Sequence, residues 1–319
     1  MNLLNWGDYL DPGIKEQFRS RTGITIRETK AESNEDMFEK LSRKNCPYDL
    51  CIPSDYVVEA LIDDGLLAEL DKSRIPNLKN IAEEYLDREF DPGNRYSVPY
   101  TWGVLGLLYN KETVDEDDVY SWDVLWSPKY SGSIYMYDSL RDTMAVALGR
   151  LGYSMNTTDP IEIKEAGDSL AELLPAVKGW GTDDNKDAMI EGEGAIAMLF
   201  NGDAVWCNEE DPDHELGFFV PEGSNIFIDN LVVPIGAKHK KNAEKFISFL
   251  LEPEIAAKNT EYVGYSTPNA AALEILGDEW KNSSVFLIPK ERLQTLEFQH
   301  DLGDAFPLYE EQWNRIGRR

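Results

Sequence analysis

Short apolar runs alternate with amphipathic stretches along the chain, and this alternation predicts most of its regular elements. Leu3–Gly7 reads as a first strand, and Ile14–Arg21 as a helix stopped near Gly23. Ile24–Thr29 is a second strand rich in β-branched residues. Ser33, with Asp36 three positions on, marks the capped start of a helix running to about Lys44. Tyr48–Pro53 has the continuous apolar character of a buried strand, and Asp55–Asp64 reads as a helix that Gly65 ends. Residues 71–96 change character, because Pro76, Pro92, Asn77, Asn80 and Gly93 favour loop with short helical pieces.

The second half repeats the rhythm. Ser97–Tyr109 is a long apolar strand rich in aromatics, and Ile134–Tyr137 is a strand followed by a helix to about Leu151. Ile161–Val177 and Lys186–Glu191 read as helices, and Ala195–Phe200 and Leu216–Val220 as strands. Asn225–Pro234 is a second long strand. Lys240–Tyr262 is expected as one long helix with Phe246, Ile247, Phe249, Leu250 and Leu251 on its apolar side, and Tyr309–Ile316 as a terminal helix. Strands alternating with helices predict the α/β class. The two long strands bracket a middle segment, so the chain is expected to leave one domain, build another and return, giving two α/β lobes with a cleft between them. The length of 319 residues suits two domains at roughly 150 residues each. There is no fixed-period repeat, no heptad pattern and no apolar run of membrane-spanning length.

Charge narrows the function. Lys and Arg number 31 against 59 Asp and Glu, a formal net charge of −28. Phosphates need a basic surface, so nucleic acid and anionic membranes are poor partners, whereas a cationic ligand is favoured. The three cysteines, Cys46, Cys51 and Cys207, do not make a disulfide framework. Cys46 and Cys51 are close enough in sequence to pair, but small apolar fillers are the preferred reading, and paired zinc-ligand spacing is missing. No export signal is visible, because Met1 leads almost at once into the first predicted strand. The chain is then either cytoplasmic or an exported protein whose export segment has been removed.

The usual catalytic signatures are absent from the sequence. It has no phosphate-binding GxxxxGK[ST] loop, no GxSxG elbow and no HExxH helix, and Gly192-Glu193-Gly194 lacks a third glycine. His214, His239 and His300 are too scattered for a relay. His239 lies in a basic run and reads as solvated. The acidic stretch Glu209–Glu215, with His214 inside it, does not match a calcium-binding loop and reads as a solvated charge run.

A different constellation recurs. Several predicted strands end in an aromatic residue with a carboxylate close by: Trp6-Gly7-Asp8-Tyr9, Ser54-Asp55-Tyr56, Tyr137-Asp138-Ser139 with Asp142, Phe200-Asn201-Gly202-Asp203, and Phe227-Ile228-Asp229. In open α/β sheets the carboxyl ends of strands form the ligand crevice. Rings and carboxylates together suit an alkyl ammonium, since rings cover methylenes and support the cation while Asp pairs with the amine. Each occurrence alone also fits turn chemistry, helix capping or core packing. Asp138 with Asp142, or Asp229 with Asp203, also suggests acid/base catalysis, but no nucleophile or metal motif supports an enzyme.

At this point the sequence resembles bacterial polyamine-binding proteins, the extracytoplasmic spermidine/putrescine receptors of ABC importers. The matching segments are Asn5-Trp6-Gly7-Asp8-Tyr9, Tyr48-Asp49-Leu50 through Ile52-Pro53-Ser54-Asp55-Tyr56, Phe90-Asp91-Pro92-Gly93-Asn94 and Tyr96-Ser97-Val98-Pro99-Tyr100. Asp138-Ser139-Leu140-Arg141-Asp142, Leu151-Gly152-Tyr153-Ser154, Asn156-Thr157-Thr158-Asp159-Pro160 and Val263-Gly264-Tyr265-Ser266-Thr267-Pro268-Asn269 extend the resemblance over nearly the whole chain. It implies a two-lobed, type II periplasmic-binding-protein-like fold. Lobe one would be about 1–103 plus 228–273, and lobe two about 104–227 plus 274–319. The lobes would close over the ligand, and closure would strengthen charge-assisted pairs by desolvation.

By the same resemblance, Trp6 and Tyr9 match an aromatic platform, Ser54 and Tyr56 polar contacts, and Asp142 an acidic ligand for an amine. Phe200 and Phe227 stand where the best-known members have tryptophan. Asp229 matches the anchor for a primary amine, and Tyr265 and Gln299 the remaining contacts. Ser139 departs from members with a further Asp, and Asp138 or Asp55 is the candidate to replace that charge. The implied partners are a polyamine and the permease subunits of an importer, without nucleic acid, metal or cofactor, the receptor itself being a monomer. The implied location is the periplasm, or the cell surface as a lipoprotein. The alternative is a receptor of the same fold for another cationic or metal-complex ligand. For iron, Tyr135, Tyr137 and His214 offer only a poor ligand set.

Overall fold

The computed structural model describes residues 1–181, 183–210, 215–283 and 285–317. In chain order its strands are β1 (Asn2–Asn5), β2 (Arg27–Lys30), β3 (Leu50–Cys51), β4 (Ser97–Asn110), β5 (Ile134–Tyr137), β6 (Val177–Gly181), β7 (Ile196–Phe200), β8 (Leu216–Phe219) and β9 (Ile226–Val232). The longer helices are α1 (Pro12–Thr22), α2 (Asn34–Ser42), α3 (Asp55–Asp63), α4 (Leu140–Leu151), α5 (Pro160–Leu173), α6 (Asp183–Ile190), α7 (Asn201–Glu210), α8 (Lys240–Leu250) and α9 (Pro253–Val263). The chain divides into two compact units, Met1–Trp102 with Phe227–Ser283, and Gly103–Ile226 with Ser284–Arg319. Both boundaries near the middle fall inside a strand, Trp102/Gly103 in β4 and Ile226/Phe227 in β9.

In unit one the strand order is β2-β1-β3-β9. β1 runs parallel to both β2 and β3, and β3 runs antiparallel to β9. Successive strand side chains point to opposite faces, and the core follows that rule. Leu3, Leu50 and Leu231 join Ile14, Phe18, Phe246 and Phe249 on one face. Leu4, Cys51 and Val232 join Met37, Leu41, Val58 and Leu61 on the other. A sheet covered on both faces reads as continuous apolar runs, which is why β1 and β3 are legible without alternation.

Unit two follows the same plan. Its order is β4-β7-β5-β6, with β8 also antiparallel to β4. β5 is parallel to β6 and β7, and β7 is antiparallel to β4. Leu105, Leu107, Ile134, Met136, Ile196 and Met198 face a core that includes residues of α4, α5 and the helix Phe306–Ile316. Leu108, Tyr135, Ala197 and Leu199 face one built with residues of α6 and α7.

Four expectations change. The helix expected over Lys240–Tyr262 is two, α8 and α9, because Pro253 lacks an N–H and turns Glu252 to extended backbone (ψ 133°). The helix expected to reach Val177 ends as α5 at Leu173, and Val177–Gly181 is strand β6 beside β5. The strand ladder expected over Tyr48–Pro53 is only Leu50–Cys51. Residues 274–283, expected in lobe two, belong to unit one, where the helix Ala270–Ile275 packs on α9.

Candidate functional site

Asp229 lies within β9, one strand position beyond Ile228, and is only 4% exposed. The β3–β9 pairing continues past β3 as a bridge between Ser54 and Asp229, and the Asn230 N–H donates to the Pro53 carbonyl at 2.8 Å. That register sets the Ser54 side chain against Asp229. Ser54 is the N-cap residue of α3, yet its hydroxyl makes no capping bond. It donates instead to Asp229 Oδ1 at 2.6 Å, and Asn34 Nδ2 donates to it at 2.9 Å.

The other carboxylate oxygen belongs to Tyr9. Asp8 takes a left-handed backbone (φ 48°), a conformation Asp tolerates, and so bends the chain after β1. The Tyr100 hydroxyl donates to the Tyr9 carbonyl at 2.9 Å, and Asn259 Nδ2 donates to that hydroxyl at 2.7 Å. Held this way, the Tyr9 hydroxyl donates to Asp229 Oδ2 at 2.6 Å. Thr101 Oγ1 lies 2.7 Å from the same hydroxyl. Since the phenol has one proton and gives it to Asp229, Thr101 is the donor to Tyr9.

Burial raises the Asp229 carboxyl to about 6 against the pull of the two hydroxyl donors. Burial, reinforced by the neighbouring Asp229 charge, likewise pushes the Tyr9 phenol well up. Among the described residues, no Lys, Arg or His pairs with Asp229. The Tyr265 ring meets Tyr9 edge-on at 5.6 Å and Phe227 edge-on at 5.8 Å, so three rings form a chain that starts at the carboxylate's own hydrogen-bond donor.

Trp6 and Tyr56 stand apart from these hydrogen bonds. Trp6 is half-buried, and its Nε1 donates to the Ile52 carbonyl at 2.8 Å. The Tyr56 hydroxyl donates to Glu35 at 3.3 Å. Both rings pack against the core of Leu4, Val57 and Val232. Asp55, a candidate replacement charge, is fully buried and accepts from the Ile228 and Tyr56 N–H groups, so it supports β9 from beneath. Asp8 is exposed and lies 3.7 Å from Lys30.

In unit two, Asp142 lies in the first turn of α4. Ser139 caps that helix through the Asp142 N–H and donates its hydroxyl to Asp142 Oδ2 at 2.7 Å. Gln299 Nε2 and Asn225 Nδ2 donate to Asp142 Oδ1 at 3.1 and 3.2 Å. Phe200, at the end of β7, meets Tyr137, at the end of β5, edge-on at 5.3 Å. Asp138 is exposed. Asp203 lies 3.7 Å from Lys186, which in turn sits over the Trp206 ring.

Sequence reasoning missed Thr101 and Asn225. Thr101 hides in the long apolar strand as one hydroxyl beside those of Ser97, Tyr100 and Tyr109, and Asn225 opens the second long predicted strand without an adjacent aromatic or charged residue. Tyr135 is buried beneath Lys178, and the acidic stretch 211–214, with His214, lies outside the described residues. Among the described residues, no three His, Cys, Asp or Glu side chains gather as a metal site requires, and Cys46, Cys51 and Cys207 form no disulfide.

Comparison with known proteins gives a consistent result. The family model of the bacterial extracellular solute-binding proteins matches residues 13–286. The spermidine/putrescine-binding periplasmic protein of Escherichia coli is 38% identical over 313 residues, covering 98% of this chain and 90% of that protein. A putrescine/cadaverine-binding protein of Pseudomonas aeruginosa is 34% identical over 88% of this chain and 82% of its own. Among solved structures, a putative spermidine/putrescine ABC transporter protein from Listeria monocytogenes superposes with a TM-score of 0.95 at 37% identity, over 99% of this chain and 98% of that one. The substrate-binding protein PotD from Streptococcus pneumoniae, solved with calcium and HEPES, gives 0.86 at 38% identity over the same shares. With its α/β units and this extent of similarity, the chain belongs to the bacterial extracellular solute-binding protein family.

Proposed function

We propose that this protein is the extracytoplasmic polyamine receptor of an ABC importer, which binds spermidine, putrescine or a close relative and delivers it to the permease subunits. The observation that carries the reading is Asp229: a buried carboxylate, held by two hydroxyl donors, with aromatic rings alongside and, among the described residues, no cationic side chain to neutralise it. Such a group is costly alone and becomes favourable when a cation arrives, because a desolvated charge pair with hydrogen bonds is far stronger than a solvated one. An alkyl ammonium supplies both the charge and N–H donors. Its methylenes suit the Tyr9, Tyr265 and Phe227 rings, and each ring face attracts a cation. Asp142, with Gln299 and Ser139 donating to it, is the proposed receiver of a further amine, and Trp6, Tyr56 and Phe200 are proposed to cover the hydrocarbon. Relatives named for spermidine, putrescine and cadaverine binding support this ligand class. The role is binding without turnover.

The test is calorimetric titration with putrescine, cadaverine, spermidine and spermine, after unfolding and refolding to strip carried-over ligand. One-to-one saturable binding of at least one polyamine is expected. An absence of both heat and thermal stabilisation with all four would remove the reading.

A further inference from the structure

Asn225 holds a buried side-chain amide directly against Asp142. Its backbone is fixed on both sides, since its carbonyl accepts from the Leu105 N–H at 3.0 Å and a parallel bridge joins it to Glu297. Its side chain is 4% exposed, and Nδ2 donates to Asp142 Oδ1. That contact sets the amide's orientation, because the reverse would press a carbonyl oxygen against a carboxylate. The carbonyl oxygen Oδ1 is therefore turned away from the amide's own contact. It is closed to bulk water and accepts no hydrogen bond from any described residue. A buried acceptor in this state is a standing cost that an incoming N–H donor would relieve.

We infer that Asn225 is a ligand-binding residue, its Oδ1 accepting a second N–H from the ammonium that Asp142 receives. This rests on the polyamine reading and deepens it by naming the acceptor set of one amine: a carboxylate oxygen and an amide oxygen, joined through the Asn225 amide. The set asks for an amine with at least two N–H groups. Primary and secondary ammoniums qualify, and fully methylated nitrogen does not.

The test compares Asn225→Leu and Asn225→Asp with wild type by calorimetric titration of spermidine and putrescine at pH 8, with thermal melts to confirm folding. Leu is close to Asn in size and has no acceptor, and the variant is expected to bind the better ligand at least about tenfold more weakly, at a melting temperature no lower than wild type. The Asn225→Asp variant keeps the acceptor and loses the Nδ2 donor. Its new carboxyl and Asp142 hold a shared proton that a cation displaces, and at pH 8 the variant is expected to bind within about threefold of wild type or tighter. A role confined to orienting Asp142 predicts clearly weaker binding, since the Nδ2 donor to Asp142 is gone and the shared proton must be displaced with no new contact in return. The inference is overturned if Asn225→Leu binds like wild type, or if Asn225→Asp binds as weakly as Asn225→Leu. If wild type binds no polyamine, the underlying reading fails instead; normal wild-type binding lost in Asp229→Asn but kept in Asn225→Leu removes this inference alone.

Discussion

Ionising Asp229 in the ligand-free protein costs free energy, because burial lifts its carboxyl from 3.8 to about 6 even with Ser54 and Tyr9 donating to it. Two consequences follow, with opposite dependence on pH. A raised carboxyl pKa means that, between about pH 4 and 6, the unfolded chain ionises while the folded one keeps its proton. The ligand-free protein is therefore expected to lose stability as pH rises through that window, by about 3 kcal/mol for two pKa units. Asp229→Asn, which can accept from Ser54 and donate to Tyr9, should flatten this part of a denaturation-versus-pH profile and be more stable at pH 7. Binding runs the other way. An ammonium needs the charged carboxylate, so affinity should fall as pH drops below about 6, approaching tenfold per unit. Thr101→Val removes the donor to Tyr9 while keeping the shape. The midpoint of that loss should move to higher pH, and Thr101→Ser should restore it; a binding-versus-pH series on the three proteins checks this.

At the level of elements, two serines at helix starts divide the labour differently. Ser33 caps α2 in the ordinary way, accepting from the Asp36 N–H at 3.1 Å. Ser54 gives up capping α3 to hold Asp229. Ser33→Ala should therefore cost about 1 kcal/mol of folding stability in a urea titration and leave binding unchanged. Ser54→Ala should weaken polyamine binding several-fold while leaving α3 no worse capped. The sequence reveals the first kind of serine, because capping is local, and the resemblance reveals the second only as a polar contact. The same divide explains the fold. Capped helices such as α2 and buried strands such as β1 are written in a few adjacent residues. The break at Pro253 is masked in the sequence because the apolar stripe continues across it. Strand β6 carries too little pattern in Val177-Lys178-Gly179-Trp180-Gly181 to be told from a helix end, and only its partner β5 makes it a strand. Tyr9, Ser54, Phe227, Asp229 and Tyr265 converge within unit one, and Asp142 and Gln299 within unit two, although most of these positions are far apart in sequence. What joins them is tertiary packing, through the Ser54–Asp229 bridge, side-chain hydrogen bonds and ring contacts, which composition does not display. Thr101 and Asn225 are hidden for that reason.

For the molecule as a whole, a net charge of −28 would attract the proposed polyamine, a ligand with two to four positive charges. Fields of this kind raise encounter rates and are screened by salt. Association of spermidine in stopped-flow should slow by about tenfold between low and high ionic strength, while dissociation, set by short-range pairs such as that with Asp229, changes little. Anchoring of the amine by the buried carboxylate can be read by titrating spermidine, or whichever polyamine binds best, into Asp229→Asn beside wild type at pH 7. Loss of one partner of a buried charge pair costs on the order of 2–5 kcal/mol, so affinity should fall by at least about thirtyfold, in a protein that melts no lower than wild type when ligand-free. Wild-type affinity in a folded Asp229→Asn protein would mean that Asp229 does not anchor the amine.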